Sequence, residues 1–596
     1  MELLDGFARE ITYISALGRT LYRMRHVKPD SPRTISEIVE DVASAKPNNI
    51  AVLYQDRTLT YAELVAGANR YARWALDRGV RKGDVVALFM DGCPEYLMAW
   101  MGVLKLGATA ALINTNLRGT PLAHSVGISK ARHVILGGEL APHYGEAAGT
   151  METRPTPWAT GGAAAGCEDL DAALRQASPD ALDPAVRQGL TCKDNAFYIY
   201  TSGTTGLPKA ANFSHMRMLF MMYGFAGALN ATERDRMYDT LPLYHSTGGV
   251  CAPGVALTVG GSLVIRRKFS VQEFWNDCHR YRPTFFQYIG ELCRYLLNAP
   301  VGPHEQDHAI RAITGNGLRP EIWAAFQTRF AIPKIVEFYG ATEGNVSMLN
   351  YDGKLGAVGR VPDYMRRIIT TRIVRFDVEK EMPVRGADGF CIECPAGEAG
   401  EAIGEIKNEA GRTFEGYTQK TDTQKKVLND VFRKGDSWFR TGDLMRRDSQ
   451  GYFYFVDRIG DTFRWKGENV ATSEVAEALG ILPGIAEANV YGVAVPGQDG
   501  RAGMAALVVN SDFDPASLAG KLEANLPAYA RPIFIRLRPE MEITGTFKLR
   551  KVDLVKEGFD PKTISDPLYW FDPATKHYEA LDDAHYEDIV AGRVKF

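Results

Sequence analysis

Short apolar runs alternate with helical patterns along most of the chain, and this alternation limits the possible folds more than any other feature. The runs have the length and composition of strands that are buried on both faces. They lie at 85–90, 108–113, 133–137, 196–201, 262–267, 284–289 and 334–340. Intervening stretches such as 60–78 place apolar residues at helical spacing. The alternation predicts an α/β fold in which helices cover mainly parallel sheets.

The pattern changes after residue 440. Strand patterns at 451–458, 488–495 and 505–510 surround a helical pattern at 473–479, which is typical of a smaller α+β unit. A chain of 596 residues suits about two to four domains. We therefore predict a large domain over 1–459 and a small C-terminal domain over 460–596.

Two stretches have weaker signals. Residues 147–166 are rich in Gly, Ala and Pro, and this composition predicts a loop. Residues 240–265 carry no Asp, Glu, Lys or Arg, and their Gly and Pro content predicts turns and buried strands, not a membrane span.

Charge and cysteine content exclude several classes of protein. Lys and Arg number 69 against 72 Asp and Glu, so the net charge is −3 and does not indicate a nucleic-acid-binding protein. Eight scattered cysteines are too few for a disulfide scaffold, which favours a reducing compartment and a cytoplasmic protein. The basic amphipathic stretch 7–28 predicts either a helix on a membrane surface or a surface helix packed on its domain. No stretch reads as a membrane span, so any membrane contact is predicted to be peripheral.

A loop rich in Ser, Thr and Gly follows the buried run 196–201 directly. It comprises Thr201, Ser202, Gly203, Thr204, Thr205 and Gly206, and Lys209 follows. Glycines let backbone N–H groups approach phosphate oxygens, hydroxyls donate hydrogen bonds to them, and a lysine adds positive charge. Pro208 precedes the lysine, so the P-loop pattern G-x-x-x-x-G-K-[ST] is not matched. The segment still predicts a nucleotide phosphate site.

The segment TSGTTGLPK at 201–209 resembles the phosphate loop of the adenylate-forming superfamily, which includes acyl-CoA synthetases, luciferases and peptide-synthetase adenylation domains. Six further motifs follow in the order of that superfamily: LPLYHSTGG (241–249), TGNGLRP (314–320), EFYGATEGN (337–345), WFRTGDL (438–444), YFYFVDRIGDTFRWKGENV (452–470) and TGTFKLRK (544–551). The resemblance covers essentially the whole chain. It implies a large adenylate-forming domain of several layers and a smaller mobile C-terminal domain. It also implies ATP and CoA as co-substrates, with Mg²⁺.

The resemblance also implies roles for individual residues. Besides the phosphate loop, the ATP/AMP site would contain Asn316 and Gly317 of an adenine-side loop, Glu337, Tyr339, Gly340, Asp443, Arg458 and Arg464. Asp443 would accept hydrogen bonds from both ribose hydroxyls, assisted by Arg458. Thr342 would reach the α-phosphate, and His245 would lie beside the acyl pocket. Glu343 is a hard oxygen ligand suited to magnesium, and Thr201 would join it as the second metal ligand.

Lys548 is the cation predicted to serve the first half-reaction. A carboxylate must approach the α-phosphate there, and a positive charge between two anions stabilises the transition state. In the second half-reaction the superfamily rotates its small domain and brings another loop, here Lys466, Gly467 and Glu468, to the same site. Gly460 occupies the hinge position, where the superfamily usually has Asp or Lys.

One branch of the superfamily is closer than the others. TFRWKGENVAT, QYIGELCRYLL (287–297), TGTFKLRK and DPLYW (566–570) resemble the fatty acid transport protein and very-long-chain acyl-CoA synthetase branch. The resemblance implies an ATP-dependent ligase that joins long- or very-long-chain fatty acids to CoA through acyl-AMP, with a possible link to fatty acid uptake. The alternatives are a membrane-associated fatty acid transporter, and an adenylating enzyme for another bulky carboxylate or for a carrier protein.

Two short motifs carry weaker signals. HEQDH at 304–308 matches the zinc pattern H-E-x-x-H, but it follows Pro303 in a polar stretch without a third ligand in sequence. CIEC at 391–394 is a single C-x-x-C without a partner pair. Neither motif supports a metal or redox function on sequence grounds.

Overall fold

The computed structural model describes residues 2–201, 207–378, 380–407, 413–498, 500–542 and 549–596. Packing divides the chain into two compact units. The first comprises Met1–Leu318, Phe326–Lys354 and Glu405–Val427, and the second Arg319–Ala325, Leu355–Gly404 and Leu428–Phe596. This division by packing differs from the predicted boundary between 459 and 460. As a boundary for domain rotation, 459/460 stays a prediction.

The helices are distributed along the whole chain. The α-helices are α1 (Glu2–Met24), α2 (Ile35–Ala45), α3 (Tyr61–Asp77), α4 (Pro94–Lys105), α5 (Gly119–Ser129), α6 (Ala141–Ala148), α7 (Leu170–Gln176), α8 (His215–Ala228), α9 (Ala252–Leu257), α10 (Val271–Tyr281), α11 (Gly290–Asn298), α12 (Pro320–Arg329), α13 (Lys420–Gln424), α14 (Thr472–Gly480), α15 (Pro515–Asn525), α16 (Val552–Glu557) and α17 (Asp583–Val590). Short 3₁₀ turns span Gly138–Leu140, Pro184–Arg187, Asp363–Met365 and Ala528–Ala530. The predicted helix at 60–78 is confirmed as α3, which begins where Thr60 and Glu63 form a capping box.

A seven-stranded sheet carries the phosphate loop in the first unit. In spatial order its strands are β7 (Glu168–Asp169), β6 (Thr156–Thr160), β5 (His133–Gly137), β3 (Val85–Phe89), β4 (Thr109–Leu112), β8 (Asn195–Thr201) and β9 (Lys209–Ser214). Every neighbouring pair is parallel except β8 and β9. The fully buried strands β3, β4 and β5 are the predicted apolar runs.

An eight-stranded sheet completes the first unit. Its strands in spatial order are β15 (Ser347–Leu349), β14 (Ile335–Gly340), β13 (Ala312–Asn316), β12 (Phe285–Ile289), β10 (Arg236–Asp239), β11 (Ser262–Ile265), β1 (Ile50–Tyr54) and β2 (Arg57–Thr60). The inner pairs are parallel, and the two edge pairs, β1 with β2 and β14 with β15, are antiparallel. The prediction of an α/β fold with mainly parallel sheets is confirmed.

Most strand pairs of the second unit are antiparallel, and one pair in its five-stranded sheet is parallel. A six-stranded sheet contains β16 (Gly359–Arg360), β23 (Tyr452–Arg458), β22 (Ser437–Arg447), β20 (Ala399–Glu405), β17 (Thr371–Val374) and β21 (Val427–Asn429). A five-stranded sheet follows, with β26 (Ile485–Val493), β27 (Ala502–Val509), β28 (Phe534–Leu537), β29 (Leu568–Asp572) and β30 (His577–Ala580). Two hairpins, β18 (Phe376–Asp377) with β19 (Met382–Pro383) and β24 (Phe463–Trp465) with β25 (Glu468–Val470), complete it. The predicted change to smaller α+β structure is confirmed.

Two local predictions were wrong in part. The loop predicted at 147–166 contains β6, which pairs with β5. The stretch 240–265 contains strand β11 as expected, but it also contains a π-helical turn, Thr247–Cys251, followed by helix α9. A Cβ at Gly249 would lie 1.9 Å from the carbonyl oxygen of Leu243, so glycine permits close packing of this helical turn.

Candidate active site

The phosphate loop begins and ends at one edge of the seven-stranded sheet. Strands β8 and β9 are antiparallel, and their register places Thr201 opposite Lys209. The loop residues Ser202, Gly203, Thr204, Thr205 and Gly206 lie outside the described part of the chain. The pairing nevertheless places the first hydroxyl and the lysine of the motif side by side.

A tyrosine that sequence reasoning missed connects the two predicted magnesium ligands. The hydroxyl of Tyr417 donates a hydrogen bond to Oε1 of Glu343 at 2.8 Å. The side chain of Thr201 lies close enough to this hydroxyl to lower the pKa of the phenol, against the larger effects of burial and of Glu343. Burial and the charge of Glu343 raise the pKa of Tyr417, so the phenol stays a protonated donor at neutral pH. The predicted ligands Thr201 and Glu343 therefore lie around one hydroxyl group.

Lys209 lies in the same group of side chains. Its ammonium is 2.8 Å from Oδ1 of Asp422 and 5.8 Å from the centre of the Tyr417 ring. A cavity of about 200 Å³ beside it is lined in part by His124, Lys209, Tyr417 and Asp422. We call Thr201, Lys209, Glu343, Tyr417 and Asp422 the phosphate-loop cluster.

Strand pairing brings Tyr417 to the cluster from a distant part of the sequence. Ala211 of β9 forms an antiparallel bridge with Tyr417. The N–H of Asn212 donates to the carbonyl of Gly416 at 3.0 Å, and the N–H of Thr418 donates to the carbonyl of Ala210 at 3.0 Å. The segment around Tyr417 thus extends the edge of the phosphate-loop sheet, and no motif in the sequence marks this contact.

A buried arginine holds the turn that carries Glu343. Arg217 of α8 donates to the backbone carbonyls of Ala341, at 2.7 Å, and Gly344. Burial lowers the pKa of Arg217, and the nearby carboxylates Glu415 and Glu343 oppose that shift. Because both hydrogen bonds go to the backbone on either side of Glu343, Arg217 is a positioning residue for this turn.

The predicted adenine-side loop follows β13 at the edge of the other sheet. Asn316 is the last residue of β13, and Gly317 adopts a left-handed φ of +79°. A Cβ at Gly290 would lie 1.7 Å from the carbonyl oxygen of Gly317. Gly290 is therefore required for close approach of this loop to the start of α11.

The carboxyl group of Glu337 lies beneath this loop. The side chain is 1% exposed. It accepts hydrogen bonds from the hydroxyl of Tyr288 and, at 3.2 Å, from the N–H of Leu318. Glu337 was predicted to be part of the ATP/AMP site, and these contacts indicate a role in holding the loop.

Glu337 should make the stability of the protein depend on pH. Burial raises the pKa of its carboxyl group from an ordinary 4.5 to about 8. The folded protein therefore holds a proton that the unfolded chain releases above pH 4.5. This stabilisation is complete below that pH and is lost as the pH rises through about 8. Between pH 6 and pH 9 the wild type should lose on the order of 2 kcal/mol more unfolding free energy than Glu337→Gln. Urea unfolding of both proteins at the two pH values measures the difference, and equal losses would contradict this assignment.

The remaining predicted residues of the first unit lie at strand ends and turns. Tyr339 and Gly340 end β14 and pair with Met348 and Ser347 of β15. Thr342 lies in the turn after them and is half-buried. His245 follows β10, and the centre of its ring is 4.6 Å from the centre of the Tyr244 ring. The N–H of Gly249 donates to the carbonyl of His245 at 2.6 Å, which ties the histidine to the π-helical turn.

In the second unit, the residues predicted to bind ribose lie opposite each other. Strands β22 and β23 pair Asp443 with Arg458. Nε of Arg458 is 3.8 Å from Oδ1 of Asp443, and the arginine side chain is 51% exposed. The assistance of Asp443 by Arg458 in ribose binding stays a prediction.

The loop predicted for the CoA step is the turn of the β24–β25 hairpin. Lys466 and Gly467 are its two central residues, with φ angles of +52° and +83°. Two consecutive positive φ angles are typical of a type I′ turn. Lys466, Gly467 and Glu468 are exposed, whereas Trp465 beside them is buried. The hairpin thus presents the loop to solvent.

Two further predicted residues lie near this hairpin in sequence. Arg464 belongs to β24, and its carbonyl accepts the N–H of Arg501 at 2.7 Å. Gly460 lies in the turn after β23, and a Cβ there would meet no described atom within 4 Å. Lys548 lies outside the described residues.

The chain matches two family descriptions. Residues 39–390 match the AMP-binding enzymes, and residues 474–548 match the C-terminal domain of AMP-binding enzymes. The solved structures that it resembles include anthranilate CoA ligase AuaEII in complex with anthranoyl-AMP. That likeness has a TM-score of 0.76 at 20% identity and covers 89% of this chain and 98% of that one. ATP-bound MatB from Rhodopseudomonas palustris has a TM-score of 0.73 at 23% identity, covering 87% of this chain and 98% of that one. These likenesses establish the fold.

Curated relatives are similar over nearly their whole length. Long-chain fatty acid transport protein 1 of Homo sapiens is 42% identical over 98% of this chain and 91% of its own. Long-chain fatty acid transport protein 2 of Rattus norvegicus is 40% identical over 98% of this chain and 96% of its own. The chain therefore belongs to the AMP-binding enzymes and, within them, to the family of the long-chain fatty acid transport proteins. The resemblance drawn from the motifs is confirmed.

Proposed function

We propose that this protein is an AMP-forming ligase that joins long- or very-long-chain fatty acids to CoA. A carboxylate and ATP would give acyl-AMP and pyrophosphate, and CoA would then give acyl-CoA and AMP. The observation that carries the proposal is the Tyr417 hydroxyl, which donates a hydrogen bond to Glu343 and lies close to Thr201, the other predicted magnesium ligand, beside Lys209. The family and its fatty acid transport relatives support the substrate class.

The phosphate-loop cluster fits a magnesium ion. Glu343 offers a carboxylate oxygen, and Thr201 and Tyr417 offer hydroxyl oxygens, which are the hard donors that Mg²⁺ prefers. Glu343 and Thr201 would hold the ion. When bound, magnesium neutralises charge on the phosphate oxygens of ATP.

The protein's own side chains would bind and orient ATP and stabilise the transition state. Lys209 would attract the phosphates of ATP, and Asp422 would keep its ammonium in place at the start of β9. Arg217 would hold the backbone around Glu343. In the second unit, Asp443 would accept hydrogen bonds from the ribose hydroxyls with Arg458 beside it. Lys548 would stabilise the approach of the carboxylate to the α-phosphate.

The direct test measures AMP release from ATP and CoA across a panel of carboxylic acids. Saturated fatty acids of increasing chain length, a bile acid and an aromatic acid make up the panel. We expect AMP and acyl-CoA in equal amounts with the long fatty acids. Acyl-AMP that forms but is released only to a carrier protein would favour the alternative acceptor. Absence of AMP with every acid would overturn the proposal in favour of a non-enzymatic transporter.

The first helix supports a proposal about localisation. Helix α1 packs one face on α8, where Arg19 donates to the carbonyl of Gly227 at 3.1 Å. Arg23 donates at 2.6 Å to the carbonyl of Ala231, which lies just after α8. The other face exposes a row of apolar side chains, each between 53% and 68% exposed: Phe7, Ile11, Ile14, Leu21 and Tyr22. The contacts with α8 support the packed-helix interpretation of residues 7–28, and membrane contact through the exposed face stays a prediction. In the described chain, no helix is long and apolar enough to cross a bilayer.

We expect the exposed face of α1 to mediate peripheral membrane binding. Burial of one large apolar side chain contributes about 1.5–3 kcal/mol, so the double variant Phe7→Ser/Ile11→Ser should bind anionic phospholipid vesicles at least about tenfold more weakly. Ile481→Ser, which alters an exposed side chain of the second unit, is the control. Co-sedimentation measures binding. Equal binding of the double variant, or retention of the wild type on vesicles through high salt and alkaline washes, would contradict this assignment.

A further inference from the structure

Two histidines and an aspartate that the proposed reaction does not use lie together on the surface of the first unit. His279 is in the last turn of α10, and His304 and Asp307 are in the segment between α11 and β13. Nδ1 of His279 is 2.9 Å from Oδ2 of Asp307, and Nδ1 of His304 is 3.9 Å from the same oxygen. One potential ligand atom from each residue lies within 4.8 Å of the other two. We call these three residues the His–His–Asp cluster.

The spacing of these atoms fits a zinc-type ion. Ligands held 2.0–2.1 Å from a tetrahedral zinc ion are separated from each other by about 3.3 Å. The two distances to Oδ2 of Asp307 lie on either side of that value. The two imidazole rings, which stack with an angle of 20° between their planes, would have to rotate apart so that both Nδ1 lone pairs point at one ion. We propose that His279, His304 and Asp307 bind one divalent zinc-type cation, with a fourth position open to water. Imidazole and carboxylate are established zinc ligands.

Neighbouring contacts orient the aspartate for this role. Nη1 of Arg282 donates to Oδ1 of Asp307 at 2.7 Å and to the backbone carbonyl of Asp307 at 2.9 Å. Oδ1 is thereby occupied, and Oδ2 is left facing the two histidines. An outer hydrogen bond of this kind fixes the direction of a metal-binding carboxylate.

The backbone at His304 is left-handed. Its φ angle is +66°, a value that few non-glycine residues adopt and at which histidine, asparagine and aspartate are enriched. The N–H of Asp307 donates to the carbonyl of His304 at 3.1 Å and closes the turn. The turn places both side chains toward α10, where the rings of His304 and His279 stack with their centres 3.9 Å apart.

The His–His–Asp cluster has different ligands from the H-E-x-x-H zinc pattern at residues 304–308. Glu305 is paired with Arg329 at 2.7 Å. The ring of His308 stacks on Trp275, and its Nε2 is 2.8 Å from the carbonyl oxygen of Phe330. The third ligand that the sequence lacked comes from α10. The proposed site is therefore a clip that joins α10 to the segment before β13, without the glutamate base of a metalloprotease.

Zinc binding by the metal-stripped full-length protein tests the proposal. Isothermal titration with Zn²⁺ alone, and elemental analysis after dialysis, should give one zinc ion per chain. The variants are His279→Gln, Asp307→Asn and His304→Asn, since asparagine tolerates the left-handed backbone. Each should bind zinc at least about tenfold more weakly. His577→Gln alters an exposed histidine of the second unit and should bind like the wild type.

Thermal unfolding supplies an independent readout. Zinc should raise the melting temperature of the wild type and of His577→Gln but not that of the double variant His279→Gln/His304→Asn. Equal melting temperatures of wild type and double variant without zinc establish that the variant folds. Less than one zinc ion per wild-type chain, or wild-type affinity in the double variant, would overturn the proposal. AMP release plays no part in these measurements, so their outcome is separate from that of the proposed ligase function.

Discussion

Replacing Glu343 with alanine should lower the rate of AMP release by about 10²–10³-fold, the usual cost of removing one well-placed group that stabilises developing charge. Glu343 would hold magnesium against the phosphates of ATP, and alanine offers no oxygen to replace it. The surrounding turn is held by Arg217 through backbone carbonyls, so the fold should survive the substitution. Steady-state turnover at saturating magnesium and thermal unfolding measure the two effects separately.

Two further variants make this result specific. Tyr417→Phe keeps the buried ring but removes the hydroxyl that donates to Glu343, so it should lower the rate by less than Glu343→Ala. Glu146→Ala removes an exposed carboxylate of the same unit and should leave the rate unchanged. Near-normal turnover of Glu343→Ala at saturating magnesium would contradict the role assigned to this residue.

The parallel sheets could be predicted because strands buried on both faces appear as plain apolar runs, as β3 and β5 do. Strand β6 could not be predicted from the sequence, since it lies near the edge of its sheet within a stretch rich in turn-forming residues. Helix α9 and the turn before it were missed for a different reason. Gly248 and Gly249 look like loop residues, yet they permit the π-helical turn to lie directly on the carbonyls of residues 241–243. Contacts between segments that are distant in sequence determine whether such stretches form a strand, a helical turn or a loop.

Some residues of the candidate site could be predicted from the sequence, and others could not. Thr201, Lys209 and Glu343 were predictable because each lies in a short motif with its own chemical reason. Tyr417, Asp422 and Arg217 carry no local motif, and their places depend on pairing of the segment around Tyr417 with β9 and on the packing of α8. The place of Glu337 in the ATP/AMP site stays a prediction, and its hydrogen bond to the N–H of Leu318 beneath the 316–318 loop could not be predicted from the motif.

The two half-reactions should respond differently to changes in the second unit. Lys548→Ala should block formation of acyl-AMP from fatty acid and ATP, because a cation is needed where carboxylate and phosphate approach each other. This repulsion between two approaching anions is absent once acyl-AMP has formed. The same variant should therefore still form acyl-CoA from synthetic acyl-AMP and CoA. Pyrophosphate release measures the first step, and thioester formation measures the second.

Gly467→Leu should show the reverse pattern. Gly467 lies at the exposed tip of the β24–β25 hairpin with a φ of +83°, and a leucine there would add bulk to the loop predicted to approach CoA. Gly592→Leu is the matched control, since Gly592 also has a positive φ, of +71°, but lies in the C-terminal tail. Because it carries similar backbone strain away from the loop, Gly592→Leu should keep both half-reactions. Equal loss of both half-reactions in Lys548→Ala and Gly467→Leu would mean that the two loops do not act in turn, and domain rotation would then have to be abandoned for this protein.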